Sequence, residues 1–154
     1  MIIREGWHYC LTWMRLLPFA RERKGKLMLP LSNWYGKGFV KNSGWNKLTG
    51  VGQIFGVHTN SGRLVYQPLF DKLGMFTIGG YVYSKGVRTD TIFANIKADE
   101  WYNYEVSYVA GQWLFTINGV TIRMNGKEPF LKTKLFPYFG GKDKAYYKMK
   151  YYFK

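Results

Sequence analysis

Residues 101–124, WYNYEVSYVAGQWLFTINGVTIRM, alternate side-chain character in three successive runs. Tyr102, Tyr104, Val106 and Tyr108 interleave with Asn103, Glu105 and Ser107. Trp113, Phe115 and Ile117 then interleave with Leu114 and Thr116, and Val120, Ile122 and Met124 resume the pattern. A period of two places each set on one face of an extended strand. Between the second and third runs, Asn118-Gly119 supplies two residues that accept positive φ, as a type I′ hairpin turn requires. The stretch is therefore an antiparallel meander. A sheet this small and this apolar on one face is stable only when it lies on a second layer.

The remainder of the chain supplies strands for that layer. At 154 residues, the length suits one domain over residues 1–154. Aromatic residues make up 19% of it, and 18 glycines are available for turns, which favours an all-β fold over a helical bundle. Residues 1–20 read as an edge strand and 21–26 as a charged turn. Short strands are expected at 26–32 and 34–40, the first demoted to an edge by Pro30. Glycine-punctuated 51–58 and then 61–66 follow, with a turn at Gln67-Pro68. Residues 75–83 are apolar on both faces, the pattern of a central strand covered on two sides. Ser84-Lys85-Gly86 turns the chain into 87–96, with Arg88 and Asp90 on one face. At the end, 145–154 set Tyr147, Met149, Tyr151 and Phe153 against Lys148, Lys150 and Lys154, as in a half-buried strand. Turn signals every ~8–12 residues without an amphipathic helix predict a single antiparallel β-sandwich or jelly roll. Residues 1–30 are either an edge strand of it or an assembly arm.

The net charge of +14 draws the molecule to polyanions, and equally suits a solvated tyrosine-rich surface. No apolar run reaches the length of a membrane span, and residues 11–20 lack the features of a secretory signal. The single cysteine, Cys10, excludes an internal disulfide framework and a Cys-rich zinc site.

Four strings taken together resemble one superfamily: Trp45-Asn46-Lys47-Leu48-Thr49-Gly50, His58-Thr59-Asn60-Ser61-Gly62-Arg63, Gly80-Tyr81-Val82-Tyr83-Ser84-Lys85-Gly86-Val87-Arg88, and Leu135-Phe136-Pro137-Tyr138-Phe139-Gly140-Gly141. They are similar to the concanavalin A-like lectin/glucanase jelly rolls, and most to short bacterial and phage-encoded members. The resemblance spans residues 34–154 and implies a fold more than an activity, because this fold hosts lectins, lyases, hydrolases and virion proteins. It implies ligand binding on a concave sheet, lined by Tyr81, Tyr83 and Arg88 with His58 and Arg63 nearby. Sugar C–H faces stack on aromatic rings, and hydroxyls or carboxylates suit forked donors such as Arg. Tyr81 and Tyr83 suit a core equally well, and His58 suits an ordinary strand end.

The residues argue against catalysis. Glycoside hydrolysis needs two carboxylates flanking the bond, and the Glu-x-Asp-x-x-Glu type string of superfamily hydrolases is missing. Glu105 is the only carboxylate within a confident strand, and adjacent Asp99 and Glu100 would face opposite sides of one. Gln53-Ile54-Phe55 is similar to the Gln-Ile-His string of alginate lyases, but Phe55 replaces the proton acceptor, and on a strand His58 would project to the opposite face. Neither a phosphate loop nor a metal-ligand spacing is present, so no cofactor is expected. The expected function is a non-catalytic surface-binding or assembly module: a phage virion structural protein, as capsid decoration or fibre, set in an oligomer or larger assembly and contacting other virion proteins. The alternatives are a carbohydrate-binding lectin-like module of the bacterial cytoplasm or cell surface and, behind it, a polysaccharide lyase. Charge-driven nucleic-acid binding ranks lower, because no aromatic RNA-binding motif or recognition helix is present.

Overall fold

The computed structural model describes residues 1–8, 10, 22–36, 44–140 and 144–154. Among them the chain is all-β and antiparallel, without an α-helix. One sheet has the order β10-β3-β4-β5-β6, made of Lys132–Leu135, Asn46–Gln53, Asn60–Pro68, Met75–Ser84 and Val87–Lys97. The other has the order β12-β2-β7-β8-β9, made of Tyr152–Phe153, Glu22–Met28, Tyr102–Val109, Gln112–Ile117 and Val120–Asn125. A small ribbon pairs β1 (Ile2–Ile3) with β11 (Met149–Lys150). No helix among the described residues is long and apolar enough to cross a membrane.

The meander forms as its alternation dictates, with β7, β8 and β9 consecutive neighbours. Asn118 and Gly119 take φ of 44° and 84°, and the Asn118 Oδ1 accepts the Asn103 N–H at 2.9 Å. An alanine at 118 keeps the strained φ and loses that bond. Asn118→Ala should therefore lower stability by about 1 kcal/mol, read from the urea midpoint at unchanged m-value.

The two five-stranded sheets stack through their inner faces. Val106, Trp113, Phe115 and Ile117 from one meet Leu64, Tyr66, Ile78 and Val82 from the other in one buried cluster. Burial of these side chains is the main stabilising term, each contributing roughly 1.5–3 kcal/mol. The chain ends are fastened into the same core. Asn33 takes both main-chain groups of Lys150, and the hydroxyls of fully buried Tyr66 and Tyr151 lie 3.0 Å apart. Burial raises both phenol pKa values above the ordinary range.

Several local expectations are corrected. Residues 22–26, read as a turn, belong to β2, because each pairs with β7 over Asn103–Ser107. Residues 31–33 form a 3-10 turn with Pro30 as its N-cap, so of the strand expected over 26–32 only 26–28 is extended, as the end of β2. Residues 34–36 are not in a strand, and 37–40 lie outside the described residues, as do 9 and 11–20 of the expected N-terminal strand. Gln67 and Pro68 do not turn but finish β4, where Pro68 stands opposite Phe76. Residues 54–58 leave the sheet as a loop after Gln53. The C-terminal segment keeps its expected alternation, with Met149 and Tyr151 buried and Lys148 and Lys150 exposed. Its backbone nevertheless splits between two partners, β1 and β2, so it is two short strands rather than one.

Candidate functional site

On the outer face of the β10-β3-β4-β5-β6 sheet, pairing register lines up residues from all five strands. One row reads Leu135, Gly50, Arg63, Tyr81 and Asp90, and the next reads Gly52, Ser61, Tyr83 and Arg88. A third holds Lys47, Val65, Gly79 and Ile92. Two register shifts create this face. The one between Lys47 and Thr49 turns Lys47 outward while Thr49 faces the core side. The other, opposite Ile78 and Gly79, sends Arg88 and Asp90 outward although Ile96 on the same strand points into the core. An extra residue in one strand reverses the parity of everything beyond it.

Glycines make room for large groups on this face. A Cβ on Gly50 would lie 3.1 Å from the Arg63 Cγ, and one on Gly79 would lie 3.4 Å from the Trp45 ring. Arg63 and Trp45 thus lie low against the sheet. Above them opens a cleft of about 500 Å³, closed on one side by residues 135–138 and on the other by Val57 and His58 of the β3–β4 loop.

Rings and cations alternate around this cleft. The Lys47 Nζ sits 5.4 Å from the ring centres of both Tyr81 and Tyr138, and the Arg88 guanidinium lies 5.9 Å from Tyr81. The Tyr81 hydroxyl donates to that of Tyr83 at 3.3 Å, and the His58 ring meets Tyr83 edge-on at 5.0 Å. Such cation–π contacts contribute about 0.5–2 kcal/mol each, more when dry. Burial, followed by the nearby charges of Arg63 and Arg88, holds the Lys47 ammonium down at about 8. Burial likewise lowers the Arg63 guanidinium, and burial with Arg63 and Lys47 lowers His58, so this imidazole is neutral at neutral pH. Burial, then the bond to Tyr83, raises the Tyr81 phenol, which stays a proton donor.

All five residues singled out in the sequence, His58, Arg63, Tyr81, Tyr83 and Arg88, line this one cleft. His58 belongs to a loop, so the strand argument that set it on the face opposite Phe55 does not apply, and its ring reaches Tyr83. Three further residues were missed: Trp45, Lys47 and Tyr138. Trp45 is fixed by a 2.9 Å bond from its indole N–H to the Asp90 carboxylate. Asp90 also stands 3.7 Å from Arg88. No Asp or Glu lines the cleft among the described residues, and Glu105 lies on the other sheet, accepting the Ser107 hydroxyl at 2.9 Å. Among the described residues no three His, Cys, Asp or Glu come together as metal ligands would.

A second hollow, on the outer face of the other sheet, is wider and shallower, bordered by Lys24, Lys26, Glu105 and Lys154. Two of its lysines are held at the surface, Lys24 by Glu22 at 2.8 Å and Lys154 over the Trp101 ring at 4.3 Å. The ring-walled cleft, where cations are buried, is the site with unspent binding capacity. No protein-family model matches the chain, and no curated protein is detectably similar to it.

Proposed function

We propose that this chain is a non-catalytic recognition module with a concanavalin A-like jelly-roll arrangement, and that it binds carbohydrate in the cleft over β3, β4 and β5. The observation that carries this reading is the joining of tyrosine faces, a neutral imidazole and arginine donors in one hollow about the size of a small sugar chain. Rings offer flat faces to pyranose C–H groups, and Arg88 and His58 at the rim offer donors to hydroxyls. The lining lacks the two carboxylates that hydrolysis of a glycosidic bond requires. The sequence resemblance supports the setting, a phage decoration or fibre protein, where such a cleft would hold the virion to a glycan-coated surface.

Glycan-array screening followed by calorimetric titration tests this. A sugar chain should bind saturably, and Tyr83→Ala or Arg88→Ala should each weaken it by roughly tenfold, about 1.4 kcal/mol, with the melting temperature nearly unchanged. Shortening of any polysaccharide by the purified chain would overturn the non-catalytic part. Absence of binding to every glycan would leave a purely structural module.

A further inference from the structure

We infer that the cleft selects an acidic sugar, with a carboxylate or sulfate of the ligand seated on Arg63 and Lys47. This rests on the reading of the cleft as a carbohydrate site and narrows it to a ligand class. Arg63 is only 6% exposed, and among the described residues its Nε–H finds no hydrogen-bond acceptor. Its one side-chain bond among them is a long one, from Nη2 to the Val57 carbonyl at 3.4 Å. A buried guanidinium with an idle donor and no carboxylate partner is strongly unfavourable unless something completes it.

The neighbours do not complete it. Lys47, 8% exposed, faces the same hollow one row away and forms no ion pair among the described residues. Arg88 adds a third positive charge. Asp90, the acid nearest in register, stands opposite Tyr81 rather than Arg63 and is held by the Trp45 indole and Arg88. Two buried cations without an acidic partner, and Arg88 beside its partner Asp90, thus converge on a hollow whose lining holds no acid among the described residues. An incoming oxyanion would find charge-assisted donors already oriented, at about twice the strength of neutral hydrogen bonds.

The form of the site favours a sugar acid over a nucleic acid strand. Tracking a phosphate backbone calls for cations spread along a solvated groove. Here two of the three are more than nine-tenths buried and side by side on adjacent strands, an arrangement that fits one compact oxyanion. The surrounding tyrosines then flank a single ring.

The test is calorimetric titration of the whole chain with four probes: a uronate tetrasaccharide, a sulfated tetrasaccharide, a neutral tetrasaccharide and single-stranded oligothymidylate. At least one acidic sugar should bind about tenfold or more tighter than the neutral one. The carboxylate and sulfate arms distinguish which oxyanion is preferred. Arg63→Met should bring the acidic sugar down to the neutral level without lowering the melting temperature. Equal binding of neutral and acidic sugars by the unaltered protein overturns the inference while leaving carbohydrate recognition standing. Binding of oligothymidylate with no sugar binding overturns both, as does failure of every probe.

Discussion

Gly62→Ala should cost the protein roughly 3 kcal/mol or more, a fall in melting temperature on the order of 10 °C for a chain this long. The residue sits in β4 on the face toward the second sheet, directly beneath Trp113. A methyl group there would lie 2.2, 2.4 and 2.8 Å from three carbons of that indole. Trp113 cannot yield. It is fully buried, Tyr108 meets it edge-on at 5.2 Å, and Phe115 stacks beside it at 6.5 Å. Moving the ring therefore means parting β4 from β8, whose side chains pack in the same core cluster. Gly36 is the matched control, since a Cβ there meets nothing within 4 Å among the described residues, and Gly36→Ala should be near neutral. Thermal unfolding of the two variants decides the matter. A Gly62→Ala protein that melts like the unaltered one would mean that the sheets do not stack through this tryptophan.

The glycines show what could and could not be read from the sequence. Their abundance reads as turn material, and Gly86 and Gly119 do occupy turns with φ of 81° and 84°. Gly62, Gly79 and Gly80 instead lie inside strands, where each leaves a hollow for a large side chain from elsewhere in the chain, Trp113, Trp45 and Phe115, and Gly50 lies where the neighbouring strand's backbone approaches too closely for a Cβ. A pairing between sheets leaves no mark on the local pattern around the glycine.

Strands announced by alternation, 75–83, 87–96 and the three of the meander, were legible because burial on one face imposes a period of two. The site was half legible for the same reason. Tyr81, Tyr83 and Arg63 lie on straight stretches of β4 and β5, whose outer faces follow from spacing alone, whereas Arg88 reaches that face only through the shift opposite Ile78 and Gly79. Lys47 does not follow from spacing either, because counting by twos from Thr49 and Val51 assigns it to the core side, and only the irregularity after it turns it outward. Tyr138 comes from a connector that pairs with Lys47 through an isolated bridge. Ninety-one residues of sequence separate the two, by subtraction of 47 from 138, and nothing local links them.

Lys47 carries the second large effect, and its sign differs between stability and binding. Folding lowers its pKa from 10.5 to about 8, chiefly through burial. Below about pH 8 the lysine is charged in the folded and unfolded chains alike, and the folded state bears the full penalty of holding that charge, at most about 3 kcal/mol. Between about 8 and 10.5 the unfolded chain retains a proton that the folded chain has released, so this group's contribution to stability rises with pH. Lys47→Met removes the term, less the cation–π contacts to Tyr81 and Tyr138 that go with it. The variant should therefore be the more stable protein near neutral pH, and its advantage should shrink as pH approaches about 10. Other titrations occur in both proteins and cancel in the difference, apart from that of His58, which Lys47 helps to lower and which lies below this pH range. For an anionic ligand the order reverses: affinity should fall as pH rises through about 8 in the unaltered protein, because Lys47 loses the charge that attracts the ligand. In Lys47→Met affinity should be lower and flat across the same range, since the titrating ammonium is gone and His58 titrates below its ordinary value. Urea unfolding and calorimetry on both proteins at several pH values measure the two slopes. A stability difference that stays constant from about pH 7 to about pH 10 would show that the ammonium is not desolvated between its two tyrosines, and the attraction assigned to the cleft would then rest on Arg63 and Arg88 alone.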